Sequence, residues 1–336
     1  MKAIGFYTPR AVSDPQALED IELPVPTLEP RDLLIRVKSI SVNPVDTKIR
    51  KNSVPPAGQV RILGWDAVGI VEALGIGATM FKAGDRVYYA GSITRPGTNS
   101  ELHAVDERIV GLAPMSLDDG EAAALPLTAL TAYELLFDRM GIAKGGGQGQ
   151  TLLVVGGAGG VGSILIQIAR QMTKLTVVAT ASRPETRQWC LDLGAHMTID
   201  HTRPIFGELT ASGIGEVEYI TGLNATPQHF TQLVQSLKPQ GRLGVIDDLS
   251  GCDINTMKGK SLSLHHELMF TRSSYQTSDM GEQGRILREL AGLVDQGRIR
   301  TTMTANFGSI SAANLRKAHA HVESNGAIGK CVLVGF

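Results

Sequence analysis

The sequence predicts an α/β chain of two domains, one β-rich and barrel-like, the other built on a doubly wound parallel sheet of six strands. Three observations lead there. Its 336 residues exceed one ordinary core. A first third of short strands between turns gives way near residue 120 to alternating strand and helix patterns. Within the second pattern a glycine turn, Gly156-Gly157-Ala158-Gly159-Gly160-Val161-Gly162, follows the apolar run Thr151 to Val155 and opens directly into the helical Ser163 to Ala169.

In chain order, strands are predicted at Leu33 to Val42, Val68 to Ala73, Arg86 to Tyr89 and Glu101 to Val105, separated by Pro24-Val25-Pro26, Asn43-Pro44, Pro55-Pro56, Lys82-Ala83-Gly84-Asp85 and Pro96-Gly97. Such spacing suits a barrel. Glu121 to Leu125 and Ala129 to Phe137 have helical composition, and Lys144 to Gln150 is a flexible, glycine-rich approach to the first strand of the sheet. That strand is followed by Leu175 to Thr180, Met197 to Asp200, Glu216 to Thr221, Arg242 to Asp247 and Glu267 to Arg272, with helices at Pro184 to Leu193 and Thr226 to Leu237. The tail carries helices at Glu282 to Asp295 and Ser311 to Glu323 and a last strand, Lys330 to Val334, which would return to the β-rich domain. The expected division is 1–125 completed by 275–336, and 126–274.

A strand, a glycine turn and a helix in that order form a site for a dinucleotide diphosphate. Gly157 is expected to allow the tight turn, Gly159 the close approach of the pyrophosphate and Gly162 close helix-to-strand packing, while the N–H groups around Ala158, Gly160 and Val161 face the anion. After the second strand, where an acid would hold a ribose 2′-OH, stand Ser182 and Arg183, with Arg187 one helical turn on. An acid would repel a 2′-phosphate, whereas a hydroxyl and two guanidinium groups accept one, so NADP(H) is favoured over NAD(H). The competing reading has Ser182 capping the following helix and the arginines solvated.

Composition narrows the partners. A formal net charge of −1 with 43% hydrophobic and 19% charged residues supplies no general field for nucleic acid or an anionic membrane. Cys190, Cys252 and Cys331 are far apart and form no disulfide framework or thiolate zinc lobe. The first residues lack the long apolar core of a signal peptide and no run approaches membrane-spanning length, so a cytoplasmic protein is expected.

The phrases Val42-Asn43-Pro44-Val45-Asp46, Gly64-Trp65-Asp66-Ala67-Val68-Gly69, Gly84-Asp85-Arg86-Val87 and Leu127 to Tyr133, together with the glycine turn, resemble the medium-chain dehydrogenase/reductase superfamily over essentially the full length. The Asn-x-x-Asp phrase and Gly-Gly-Val-Gly turn resemble its zinc-free quinone oxidoreductase, zeta-crystallin-like branch; relatives of this kind also carry zinc-type alcohol dehydrogenase-like names. The resemblance implies a GroES-like β-barrel catalytic domain plus a Rossmann domain, substrate and nicotinamide in the cleft between them, and a homodimer through the Rossmann sheet edge. Where zinc-dependent members carry a Cys and a His ligand, this chain has Asn43 and Trp65, and an indole N–H cannot ligate a metal. No zinc is therefore expected.

Without a metal to polarise an alcohol, hydride delivery to a quinone or α,β-unsaturated carbonyl is the accessible reaction. By the resemblance, Asn43 stands beside nicotinamide and substrate, and Asp46 either joins the site or caps a local turn. Lys48 stands where relatives often have Tyr, either stabilising an oxyanion or simply exposed, and His201 replaces a Tyr facing the adenosine. Thr131 at a helix start, Thr221 and Ile246 at strand ends, and Phe270 and Thr271 on the sixth strand are expected in the crevice, with Lys330 reaching phosphate or ribose. Two alternatives stay open: a zinc-dependent alcohol dehydrogenase with atypical ligands, and a catalytically silent NADPH-binding protein of crystallin-like or regulatory kind.

Overall fold

An eleven-residue strand, Asp32–Val42, organises the first unit, because its alternating apolar side chains are buried and three other strands hydrogen-bond to it. Ala67–Leu74, Leu102–Asp106 and Lys330–Val334 all run antiparallel to it. Arg86–Tyr89 and Gly111–Leu112 extend this sheet on one side and Met303–Asn306 on the other. A smaller sheet places Lys2–Phe6 between Glu19–Glu22 and Arg61–Ile62. The tail thus returns to the barrel as expected, and the hydroxyls of Ser39 and Ser41 donate to the carbonyls of Leu333 and Cys331 at 2.9 and 3.0 Å.

The computed structural model describes all 336 residues, in two units: Met1–Leu130 with Phe270–Phe336, and Thr131–Met269. These boundaries lie a few residues from the expected ones for identifiable reasons. The Leu127 N–H donates to Asp66, tying the start of helix Pro126–Tyr133 to the barrel. Phe270 packs edge-on against Trp65 at 6.0 Å, drawing the residues after Met269 into the same unit.

The second unit holds six parallel strands: β1 (Thr151–Val155), β2 (Thr176–Thr180), β3 (Met197–Ile199), β4 (Val217–Gly222), β5 (Leu237–Val245) and β6 (Ser263–His266). Their spatial order is β3-β2-β1-β4-β5-β6, so the direction of winding reverses between β1 and β4. Near-continuous apolar runs in β1 and β2 follow from burial on both faces.

The sixth strand corrects the sequence reading. Arg242 to Val245 pair with Ser263 to His266, not with Glu267 to Arg272. The apolar Leu268-Met269-Phe270 imitated a strand, whereas the real edge strand, Ser-Leu-His-His, is mostly polar because one side has no neighbour to cover it. Phe270 and Thr271 therefore sit at the start of the short helix Thr271–Tyr275 in the barrel unit, not on the sheet. Thr131 also moves: it is buried inside helix Pro126–Tyr133, which widens into a π-helical segment over Glu134–Arg139.

That segment is anchored to the end of β6 by charge. Arg139 Nε donates to Glu267 at 2.8 Å and its guanidinium lies 3.5 Å from Glu134, with both carboxylates buried. Burial first, and the neighbouring Glu134 carboxylate second, push the Glu267 carboxyl well above the usual range. No helix of the protein is long and apolar enough to cross a membrane.

Two outcomes follow. A Cβ at Gly162 would lie 2.3 Å from the Gly156 carbonyl oxygen, so Gly162→Ala is expected to cost about 1–3 kcal/mol in denaturant unfolding; an unchanged midpoint would refute this contact. Because folded Glu267 holds its proton more tightly than the unfolded chain does, it makes stability fall as pH rises from the ordinary carboxylate range through its raised folded value. Glu267→Gln should flatten that decline in melting temperature between about pH 5 and 9, and an identical slope in both proteins would contradict the assignment.

Candidate functional site

The glycine turn shows why each position is small, with one redistribution of roles. Gly156, at φ +84°, makes the left-handed turn assigned above to Gly157. Gly157 instead permits packing: a Cβ there would meet Ala179 at 2.8 Å and the Cys190 sulfur at 3.0 Å. Gly162 keeps the predicted helix-to-strand role. Gly159 is the N-cap of helix Gly160–Met172 and supplies no side chain, and the first intrahelical bond runs from Ser163 N–H to its carbonyl at 2.9 Å. The N–H groups of Gly160, Val161 and Gly162 thus occupy a first turn with no intrahelical acceptor, a natural seat for an anion.

Neighbouring strand ends complete this cradle. Ser182 lies two residues beyond β2, and Arg183, not Ser182, is the N-cap of helix Pro184–Asp192. Arg183 pairs with Glu185 at 3.3 Å on the surface, where such a pair contributes little and yields to a phosphate. Arg187 is less free than expected, donating to Asp200 at 3.0 Å. His201, just past β3, has a buried Nδ1 with no hydrogen bond and meets the His229 ring edge-on at 6.2 Å. Thr221, in β4 beside β1, is fully buried with an unpartnered hydroxyl, and Ile246 follows β5. Glycine cradle, free N–H groups and orphaned hydroxyl together fit a dinucleotide.

The barrel unit holds a second polar centre, built on Asn43, Asp46, Asp66 and Lys330, all buried. The strand ending at Val42 delivers Asn43 as N-cap of helix Pro44–Asn52. Asp46 Oδ2 accepts the Asn43 N–H at 2.7 Å and Oδ1 the Gly64 N–H at 3.0 Å, so it orders this turn, one of the two roles foreseen for it. Asp66 Oδ2 accepts from Asn43 Nδ2 at 2.7 Å and from Lys330 Nζ at 3.1 Å, while Oδ1 takes the Leu127 N–H at 2.7 Å. Lys330 also donates to Asn43 Oδ1 and to the Val42 carbonyl at 3.0 Å. All three ammonium protons are thereby engaged.

This geometry bears on three expectations, and for Lys48 it gives one of the two readings foreseen, an exposed side chain. Lys330 does not reach for phosphate or ribose, because its head group is spent inside the barrel. Asn43 is buried with its amide oriented by the chain itself, the oxygen accepting from Lys330 and one N–H donating to Asp66. Lys48 is exposed on helix Pro44–Asn52, outside the cluster. Burial is the main force raising the carboxyl groups of Asp46, pushed up to about 7, and Asp66, with Lys330 acting in the opposite sense on both. Sequence reasoning quoted Asp66 without giving it a role, although an acid inside the apolar run Trp65-Asp66-Ala67-Val68 already required a buried partner.

The same cluster answers whether a catalytic zinc fits. Zinc takes thiolate, imidazole or carboxylate donors. Here the indole N–H of Trp65 donates to the Ser92 carbonyl at 3.1 Å, the amide of Asn43 is occupied, and the carboxylates are satisfied by backbone N–H groups and a fixed ammonium. No three His, Cys, Asp or Glu side chains gather to hold a metal elsewhere. The donor set does not fit zinc.

The alcohol dehydrogenase GroES-like domain family matches residues 29–124, and the zinc-binding dehydrogenase family matches residues 193–333. A zinc-type alcohol dehydrogenase-like protein of Staphylococcus aureus is 39% identical over 336 residues, covering 99% of each chain. The quinone oxidoreductase of Pseudomonas aeruginosa is 31% identical, covering 96% of this chain and 97% of its own. A Rhizobium etli protein, whose crystal structure carries a provisional zinc-dependent alcohol dehydrogenase name, is 51% identical with a TM-score of 0.95, covering 100% of this chain and 98% of that one. With the fold and the glycine cradle in agreement, the chain belongs to the medium-chain dehydrogenase/reductase superfamily, in its quinone oxidoreductase-like branch, as an oxidoreductase with a nicotinamide dinucleotide site.

Proposed function

We propose that the protein reduces a quinone or an α,β-unsaturated carbonyl with NADPH and without a metal. The observation that carries this reading is the Lys330 ammonium held by Asn43, Asp66 and Val42 in the barrel, a centre already saturated by the protein's own cation. Without a Lewis acid to stabilise an alkoxide, an alcohol is a poor substrate, while an electron-poor acceptor needs only a hydride and then a proton, which water can provide. The dinucleotide supplies that hydride when bound.

The protein's own residues bind and orient. The N–H groups of Gly160, Val161 and Gly162 take the diphosphate, while Ser182 and Arg183 take the 2′-phosphate through charge-assisted hydrogen bonds. Asn43, Asp46 and Asp66 fix the turn that leads into helix Pro44–Asn52 and act as positioning residues. Likeness to the Pseudomonas quinone oxidoreductase supports the acceptor class. Pairing of two copies through β3 or β6, the two edges of the sheet, belongs to the same proposal.

Oxidation of NADPH, followed across quinones, enones and simple alcohols, should proceed with the first two classes; turnover confined to alcohols would overturn the reading. Protein prepared without added zinc should carry no stoichiometric metal and keep its rate after chelation, and chelator-sensitive turnover would restore the zinc alternative. Arg183→Ala should weaken NADPH by about tenfold or more while leaving NADH within about twofold, as expected for one lost charge-assisted bond. Equal losses for both cofactors would contradict a 2′-phosphate contact.

A further inference from the structure

The chain passes between its two units twice, from Leu130 to Thr131 and from Met269 to Phe270. Glu134 stands one helical turn past the first crossing, and Glu267 just before the second. Arg139 joins them: its Nε donates to Glu267 Oε2 at 2.8 Å, and its guanidinium lies 3.5 Å from Glu134. Both carboxyl groups are buried, and the segment carrying Glu134 and Arg139 is π-helical, a rare winding that recurs at functional sites.

The charges in this cluster do not balance. Those acting on Glu267 are Glu134 and Arg139, two acids and one cation. From β5, Arg242 donates to the Met140 carbonyl instead. From β6, His265 faces the same segment, because it pairs with Gly244, where a Cβ would meet Leu135 and Met140. Burial and Arg242 hold its imidazole below the ordinary range, so it adds no positive charge. Lys144 lies over the rings of Tyr133 and Phe137, Asp138 is exposed, and Arg272 beyond the second crossing pairs with Asp279 at 3.0 Å. No N–H reaches the buried Glu267 Oε1, and the side chain that hydrogen-bonds this carboxyl besides Arg139 is Glu134. Ionised carboxylates only accept, so the two acids can bond to each other only through a proton carried by one of them.

We propose that Glu134 and Glu267 share one proton and, with Arg139 across them, clasp the two crossings of the chain to each other, and that loss of this proton to solvent opens the clasp. Closed, the cluster is one carboxyl, one carboxylate and one guanidinium, with no net charge. Without the proton, two buried anions in contact compete for a single cation. The proton is therefore held more tightly in the closed form than in the open one, so rising pH favours opening and falling pH favours closure. Opening frees the lead-in to Phe270, which packs on Trp65 in the barrel at 6.0 Å.

Hydrogen–deuterium exchange of the full chain, followed by mass spectrometry and corrected for the intrinsic pH dependence of amide exchange, tests the clasp. The reporters are the Met140 N–H, bonded to the Leu135 carbonyl at 2.9 Å, and the Glu267 N–H, bonded to the Val245 carbonyl at 2.9 Å. Protection of both segments should fall together by about tenfold or more between pH 6 and 8, and at every pH both should exchange faster than Thr176–Thr180 of β2. Glu267→Gln supplies a fixed N–H to Glu134 and keeps an oxygen for Arg139, so protection should stay within about twofold over the same range; Glu134→Gln should act alike. The wild-type series needs no substitution and decides the matter even where a variant fails to fold. No fall in the wild type, a fall in one segment alone, exchange no faster than in β2, or an undiminished fall in the glutamine variants overturns the proposal.

Discussion

The barrel depends on one buried ammonium. Lys330 opens the terminal strand, and its three protons join the end of Asp32–Val42, the helix cap Asn43 and the carboxylate Asp66, whose other oxygen holds the start of helix Pro126–Tyr133. Four chain segments distant in sequence thus meet at a single charge. Losing one partner would leave a buried charge uncompensated, which is far costlier than the intact arrangement is stabilising, so the cluster acts more as a constraint on register and closure than as a source of net stability. Of the two residues standing where zinc-dependent relatives carry ligands, Asn43 is held by this ammonium and Trp65 by the Ser92 carbonyl.

The second unit meets a different constraint, the close approach of backbone to backbone. Gly157 and Gly162 are small because β2 and the Gly156 carbonyl leave no room, and Gly156 because only glycine turns left-handed at little cost. These requirements concern the fold before they concern a ligand. What speaks for a ligand is the polar accounting: first-turn N–H groups without acceptors and side-chain atoms of Thr221, Thr226 and Asp247 without partners, all at the carboxyl ends of strands. In the same unit Arg139 lies between the buried carboxylates of Glu134 and Glu267.

Local pattern made the long elements legible. Arg86–Tyr89, Thr151–Val155, Glu282–Asp295 and Lys330–Val334 stand where periodicity and turn residues placed them. Short or edge elements were not legible. Lys2–Phe6 is buried on both faces and so shows no alternation, Met303–Asn306 and Ser263–His266 carry too few apolar positions to reveal a period, and the apolar residues after His266 diverted the sixth strand onto a helix start. Among site residues, the glycines, Ser182 and Arg183 could be read because their chemistry is local to one turn. The inward turn of Lys330, the partners of Asn43 and the place of Thr131 inside a helix were not legible, because each depends on what lies across the sheet or along the helix.

The sequence by itself determined the two-unit α/β plan and the diphosphate cradle, since these reside in residue type and short spacing. Only the tertiary structure decided that Lys330 turns inward to Asp66 over 264 positions, and that Asp247 lies beside Thr226 with an oxygen to spare. Which buried polar atom finds a partner, and which does not, is a property of packing in three dimensions that no local pattern encodes.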